Sequence, residues 1–340
     1  MKALKYIIFL LLILTIGAAI YIAVQPNSFE FNRSRVIKAP PEVLYKTVND
    51  YKEWPKFSPW IEQDMNANLT YDEITTGKNA GYSWEVDDLG EGNMKTINAN
   101  PYESISQQIN FTKPFESSAN IDWKFEPHEN GTEVTWEMNG KQDFMTKMYV
   151  AFAGSIEENT APDFERGLFK LDSLVKAKMA KFEISVDGVT QHSGGFYLYA
   201  SASAKMSNLE NKMAELMPKV SGFAKANNVT MAGNPFVMYH KWDVENNAVI
   251  FSCCVPTTTK VMASDSEILT GQITPFKAVK TTLKGNYENL RTAWDRAMDY
   301  IETNNLTQPE DPISIETYLN DPLSTPNPAN LITEIYLEIE

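Results

Sequence analysis

Cysteine and histidine are scarce in this sequence. It has two cysteines in 340 residues, adjacent at 253 and 254. Two cannot build a disulfide framework or a four-cysteine structural zinc site. Neighbours in a strand point to opposite faces, so Cys253 and Cys254 read as core residues. The three histidines, at 128, 192 and 240, have no Cys or His at ligand spacing beside them. His128 reads as a turn residue, His192 as a loop residue, and no metal is expected. Basic residues are short too, 30 against 44 acidic ones, for a net charge of −14. Nucleic acid, whose phosphates need clustered Lys and Arg, is not an expected partner. Gly-x-Ser-x-Gly, His-Glu-x-x-His and a phosphate-loop glycine pattern are all missing, so no cofactor is expected. What remains is an ordinary globular mixture, 43% hydrophobic and 22% charged, long enough for two cores.

One long apolar run is present. Tyr6 to Val24 carries no charge over 19 residues, near the roughly 20 that a spanning helix needs. Lys2 and Lys5 precede it, and Gln25 to Asn32 holds no cation. The positive-inside rule then puts the amino terminus in the cytoplasm and the bulk of the chain outside it, periplasmic in a Gram-negative cell. A cleaved signal peptide is the competing reading, with Gly17-Ala18-Ala19 as its small-residue site. The run continues past that site through Ile20, Tyr21, Ile22 and Val24, which favours an anchor across residues 6–24. With the two lysines set aside, 28 basic residues face 44 acidic ones, a balance of −16.

Residues 1–28 read as anchor and linker, and residues 29–180 as one α+β unit. Phe29 to Ile37 alternates as a strand does. Pro40-Pro41-Glu42 opens a helix whose apolar face is Val43, Leu44, Thr47 and Val48. Strand-like runs follow, split by turns at Asp88-Leu89-Gly90 and Glu129-Asn130-Gly131. Phe164, Leu168, Leu171, Leu174, Val175 and Met179 step as one face of a long closing helix. Four segments then carry a resemblance. They are Val36 to Val43, Trp54-Pro55-Lys56-Phe57-Ser58-Pro59-Trp60, Gly131 to Gly140, and Phe164 to Leu171. This unit resembles the START-related polyketide cyclase/dehydrase (SRPBCC) superfamily. The resemblance implies a helix-grip fold, a curved sheet around a long helix, with a ligand cavity and no shared catalytic set. Trp54, Trp60, Trp84, Trp123 and Trp136 are candidates for the cavity wall or, alternatively, for plain core.

Residues 181–340 repeat a pattern. Ser207-Asn208-Leu209-Glu210 reads as a capping box opening a helix with Leu209, Met213, Leu216, Met217, Val220 and Phe223 on one face. A second helix carries Leu290, Ala293, Trp294, Ala297, Met298 and Ile301. Each helix leads to a tyrosine-bearing strand, Phe236 to Tyr239 and Ser314 to Tyr318, and then to an apolar strand. Matching features lie about 80 residues apart, which implies a duplicated β-α-β-β module about a pseudo-twofold axis. Gly233 to Tyr239, Gly285 to Leu290 with Ala293-Trp294, Pro312 to Pro322 and Thr333 to Tyr336 resemble the GyrI-like, AraC-type effector-binding fold. That resemblance implies a groove at the pseudo-twofold, aromatic walls and a buried carboxylate, holding bulky hydrophobic and often cationic molecules. The fold often follows a DNA-binding domain, a place taken here by the anchor and the START-like unit.

Strand alternation sharpens the groove. Ile313, Ile315 and Thr317 oppose Ser314, Glu316 and Tyr318; Ile335, Leu337 and Ile339 oppose Glu334, Tyr336 and Glu338. With the aliphatic sides under the helices, Glu316, Tyr318, Glu334 and Tyr336 would share one face. A carboxylate among tyrosines suits a cation, each ring adding ~0.5–2 kcal/mol. The competing reading is a solvated sheet face. Tyr239, counterpart of Tyr318, joins the candidates, as does Trp294, which alternatively packs in the core. The last 40 residues hold eight carboxylates and no Lys or Arg, so acidity gathers around this groove. The leading expectation is a hydrophobic or cationic small-molecule binder rather than an enzyme. A hydrolase using Glu316, Glu334 and Tyr239 is the catalytic alternative, since a glutamate raised in an apolar groove can act as acid or base. A protein-interaction module is the third.

Overall fold

The computed structural model describes residues 2–63, 67–86, 90–113, 116–263 and 267–340; most of the Asp88-Leu89-Gly90 turn lies outside them. The chain divides into two compact units, Met1–Ala177 and Lys178–Glu340.

The first unit opens with α1 (Lys2–Ala23), whose stretch Leu4–Ala23 is long and apolar enough to cross a membrane. After β1 (Ser28–Ile37), α2 (Pro41–Val48) starts on a proline and buries Val43, Leu44, Tyr45, Thr47 and Val48. A proline is at home there because a helix leaves its first N–H groups unpaired. Next come α3 (Pro59–Gln63), β2 (Asn68–Tyr71), β3 (Gly81–Val86), β4 (Gly90–Asn100), β5 (Ser104–Lys113), β6 (Ser117–His128) and β7 (Gly131–Lys141). Helices α4 (Phe144–Ala153) and α5 (Ile156–Met179) close the unit. The seven strands form one antiparallel sheet ordered β1-β7-β6-β5-β4-β3-β2.

Aromatic rings fill the space between that sheet and α5. Trp54, Phe57, Trp123, Trp136 and Phe164 are fully buried. Trp136 stacks on Trp123 at 4.3 Å and on Phe164 of α5 at 4.0 Å. Trp54 meets Trp123 and Trp136 edge-on. The helix comes this close because residue 167 is glycine: a Cβ there would lie 2.6 Å from the Trp136 ring. Trp54, Trp123 and Trp136 are therefore core. Trp84 is buried against Phe111, and Trp60 donates its indole N–H to Asp163.

The second unit holds β8 (Glu183–His192), β9 (Gly195–Lys205), α6 (Leu209–Ala226), β10 (Phe236–Asp243) and β11 (Ala248–Thr257). It continues with β12 (Leu269–Ile273), β13 (Phe276–Lys284), α7 (Leu290–Thr303), β14 (Ser314–Tyr318) and β15 (Ile332–Ile339). Its antiparallel sheet runs β12-β9-β11-β10-β14-β15-β13-β8. The order displays the duplication: β9-α6-β10-β11 mirrors β13-α7-β14-β15, with β10 and β14 meeting at the centre. Both helices cover one face, α6 over β9 and β11, α7 over β13 and β15. The predicted capping box does not form. A 3-10 turn over Met206–Asn208 leads into α6 instead, and Asn208 at the helix start makes no side-chain cap.

Consecutive strands β8 and β9 do not pair with each other. β8 lies beside β13, and β9 beside β12. Two short turns, after His192 and after Ile273, each join strands from opposite ends of the sheet order, so the sheet curls until those turns touch. The curl buries the helix-free face, where Phe236, Met238, Cys254, Ile273, Phe276, Ala278 and Ile315 cluster. Cys253 packs on the helix side and Cys254 in this cluster. Gly194 sits at the contact with φ +67°, and a Cβ would lie 2.3 Å from the Ile273 carbonyl oxygen. Gly194→Ala is expected to destabilise this unit by about 1–3 kcal/mol, read by chemical denaturation.

Candidate functional site

The site begins at the pseudo-twofold. Val237 of β10 pairs directly with Glu316 of β14, and the two hold equivalent places in the repeats. Residues paired across strands share a face, and Glu316 also pairs with Ile335 of β15. That register puts Glu316 and Tyr318 on the helix-covered side. Ile315 instead joins the helix-free cluster with Ile313 at its edge. The expected sidedness of β14 is thus reversed: the carboxylate, not the isoleucines, lies under the helices. On β15 the expectation holds, with Ile335, Leu337 and Ile339 beneath α7.

Glu316 is 3% exposed. Its Oε1 accepts the Trp294 indole N–H at 2.5 Å. Its Oε2 accepts the hydroxyls of Tyr239 and Tyr318, each at 2.8 Å. The two tyrosines are repeat counterparts, so one carboxylate on the axis gathers a near-symmetric pair of donors. Among the described residues no Lys or Arg pairs with it. Burial raises the Glu316 pKa, while the three hydrogen bonds, to Trp294, Tyr239 and Tyr318, pull it back. Burial, reinforced by the neighbouring Glu316 charge, pushes the Tyr239 and Tyr318 hydroxyls well above the ordinary tyrosine value.

Rings wall this carboxylate. Tyr239 stacks on Trp242 at 4.9 Å and meets Trp294 edge-on at 5.5 Å. Tyr287, in the turn before α7, meets Tyr318 edge-on at 5.5 Å. Trp294 thus packs in the core and also donates to Glu316. Trp242 and Tyr287 were not legible as site residues. A β-bulge between Tyr239 and Lys241 shifts the register, which brings Trp242 onto the same side as Tyr239 against simple alternation. Tyr287 belongs to a turn with no periodic pattern.

Glu334 and Tyr336 do not join this group. Cross-strand pairing puts Tyr336 opposite Ile315 and Glu334 opposite Thr317, on the helix-free face. There Glu334 accepts the Tyr336 hydroxyl at 2.7 Å and pairs with Lys280 at 2.7 Å. The shared face expected for Glu316, Tyr318, Glu334 and Tyr336 is therefore split, and the set Glu316, Glu334 and Tyr239 is not assembled. Of the eight carboxylates after residue 300, Glu316 is the one in the site. His192 is the last residue of β8 rather than a loop residue and stacks on Phe276. His240 hydrogen-bonds Ser252 at 2.7 Å, and His128, expected in a turn, is instead the last residue of β6 and accepts the Asn130 N–H.

Residues 37–169 match the family described as polyketide cyclase / dehydrase and lipid transport. Residues 198–340 match the GyrI-like small molecule binding domain. The chain thus carries a START-like domain followed by a GyrI-like domain, both folds that bind small molecules. No curated protein matches the chain. Among solved structures, protein CV1439 from Chromobacterium violaceum is 19% identical, with 44% of this chain and 99% of that chain covered and a TM-score of 0.33. EcmrR in a DNA complex is 15% identical, covering 56% of this chain and 75% of that chain, with a TM-score of 0.41. Protein SA2116 from Staphylococcus aureus is 12% identical, covering 46% of this chain and 99% of that chain, with a TM-score of 0.36.

Proposed function

We propose that this protein is a membrane-anchored binder or sensor of a hydrophobic cation, with the bulk of the chain on the extracytoplasmic side. The ligand contacts the carboxylate of Glu316 and the rings of Tyr239, Trp242, Trp294 and Tyr318. One observation carries the reading: a carboxylate 3% exposed has three neutral donors and, among the described residues, no cationic partner. Burying an ionised carboxylate is costly, and neutral donors offset only part of that cost. A monovalent organic cation supplies the missing charge, and its apolar substituents pack on the rings. Trp242, 43% exposed and stacked on Tyr239, is a site ring that an arriving ligand can reach from solvent. The acidic balance of the chain points the same way and suggests a small molecule rather than nucleic acid. The anchor reading rests on the apolar stretch Leu4–Ala23 and on Lys2 and Lys5 before it.

Tetraphenylphosphonium is a suitable probe. At a hundred times its Kd it should stabilise the folded GyrI-like unit by about 2.7 kcal/mol. That corresponds to a rise of roughly 5–10 °C in the unfolding transition of a unit this size. No shift with millimolar probe, in the full detergent-solubilised chain, would overturn the reading.

A further inference from the structure

Helix α4 wears its apolar residues on the outside. Phe144, Met145, Tyr149 and Phe152 are 50%, 51%, 59% and 84% exposed. Positions 145, 149 and 152 step by four and three, the spacing that forms one stripe along a helix. The one charged residue in α4 is Lys147, buried at 6%, so the stripe carries no charge. Four large apolar side chains standing out of one ten-residue helix form a patch that water alone does not favour.

The position of α4 says what covers that patch. Lys147 Nζ donates to the Ala23 carbonyl at 3.3 Å, at the end of α1, and to the Asn27 side chain at 2.6 Å. The Gln142 N–H donates to the Asn27 carbonyl at 2.8 Å. Ile22, in the last turn of α1, is buried at 6%. Residues 24–27 are therefore held against the START-like domain rather than left as a loose tether. The stretch Leu4–Ala23 is 20 residues long, about 30 Å at 1.5 Å per residue, the thickness of a bilayer core. When that stretch spans, Ala23 lies at the boundary of the hydrocarbon, and α4 is pinned at the same level.

We infer that α4 is an interfacial helix that lays Phe144, Met145, Tyr149 and Phe152 into the lipid surface and seats the START-like domain on the bilayer. The inference rests on the reading of α1 as a membrane anchor. Aromatic side chains favour this headgroup depth, and a second apolar contact turns a point attachment into a fixed orientation. The nearby carboxylates Asp143, Glu157 and Glu158 outnumber the cations Lys141 and Arg33, the latter paired with Glu157, so the surface around α4 has no excess positive charge to draw it to anionic headgroups. Neutral phosphatidylcholine is therefore a sufficient surface.

The test uses the full chain in phosphatidylcholine vesicles, with a nitroxide attached at a cysteine introduced singly by Phe152→Cys, Leu12→Cys or Asn130→Cys. Cys253 and Cys254 are fully buried, and the unsubstituted chain serves as the labelling blank. Phe152 is exposed enough for its label to leave the fold intact. Asn130 lies at the far end of β7, about 35 Å along the strand at 3.3 Å per residue. Collision with dissolved oxygen reports lipid, and collision with a water-soluble nickel chelate reports solvent. The expected result is a severalfold higher oxygen-to-nickel ratio at 152 than at 130, close to the ratio at 12. A water-like label at 152 with a lipid-like label at 12 would overturn the docking and leave the anchor standing. A water-like label at 12 would overturn the anchor and the inference with it. A label at 152 shielded from both reagents would show that a protein surface, not lipid, covers α4, and would overturn it equally.

Discussion

Glu316→Gln is expected to weaken binding of a lipophilic cation by roughly 30- to 150-fold, about 2–3 kcal/mol, because a buried charge facing its partner is removed. Stability at neutral pH should stay within about 1 kcal/mol of the parent. A buried charge with neutral donors is a poor stabiliser, and a neutral amide avoids its desolvation. The Tyr239 and Tyr318 hydroxyls now donate to Oε2; opposite an amide NH2 they can rotate and accept. The pH dependence separates the two proteins further. Burial raises the Glu316 pKa in the folded state, so the native chain holds this proton where the unfolded chain has lost it. The stability this group contributes is fully present below the unfolded glutamate value, about 4.3, and is lost as pH rises through the folded value. Relative to Glu316→Gln, the parent should therefore lose stability from about pH 4 towards neutrality. Denaturation curves of both proteins across that range, with cation titrations at pH 7, check both statements.

Trp136→Ala is expected to be the most damaging single change in the START-like domain, at about 3–5 kcal/mol. Its ring is fully buried and stacked on Trp123 and Phe164. Removing it leaves a void among rigid rings that cannot collapse, because α5 is already in contact at Gly167. The unfolding transition of this unit should fall by roughly 6–20 °C, with loss of the near-ultraviolet signal of the stacked indoles. A loss below about 1 kcal/mol would mean that the ring lines an open cavity rather than fills a core.

Much of the architecture was legible because it is written in periodicity. The apolar run from Tyr6, the helix beginning at Pro41, the steps from Phe164 to Val175 and the offset near 80 residues each leave a regular trace. Glu316, Tyr318, Tyr239 and Trp294 were nameable too, and the structure brings those four together. Alternation alone could not say which face of β14 lies under the helices. That follows from the pairing of Glu316 with Val237 and Ile335, a long-range register with no local signal. The same gap grouped Glu334 and Tyr336 with Glu316 and Tyr318, although on β15 they lie on the helix-free face, as alternation expects. The bulge at His240, which carries Trp242 into the site, leaves no mark in the pattern of apolar and polar residues. Ser207 to Glu210 had the letters of a capping box, but a 3-10 turn takes its place. The five tryptophans showed an aromatic interior without showing whether it was hollow or full.

The measurement that meets the central claim most directly crosses the charge of the ligand with the charge of the residue. Tetraphenylphosphonium and neutral triphenylphosphine oxide present similar rings with and without a positive charge. Each is titrated calorimetrically into the parent chain and into Glu316→Gln at pH 7. A cation held by Glu316 loses about 2–3 kcal/mol of affinity in the variant, while the neutral compound changes by less than about 0.5 kcal/mol. Equal losses for both compounds, or none for the cation, would contradict the assignment of Glu316 as the cation-binding carboxylate.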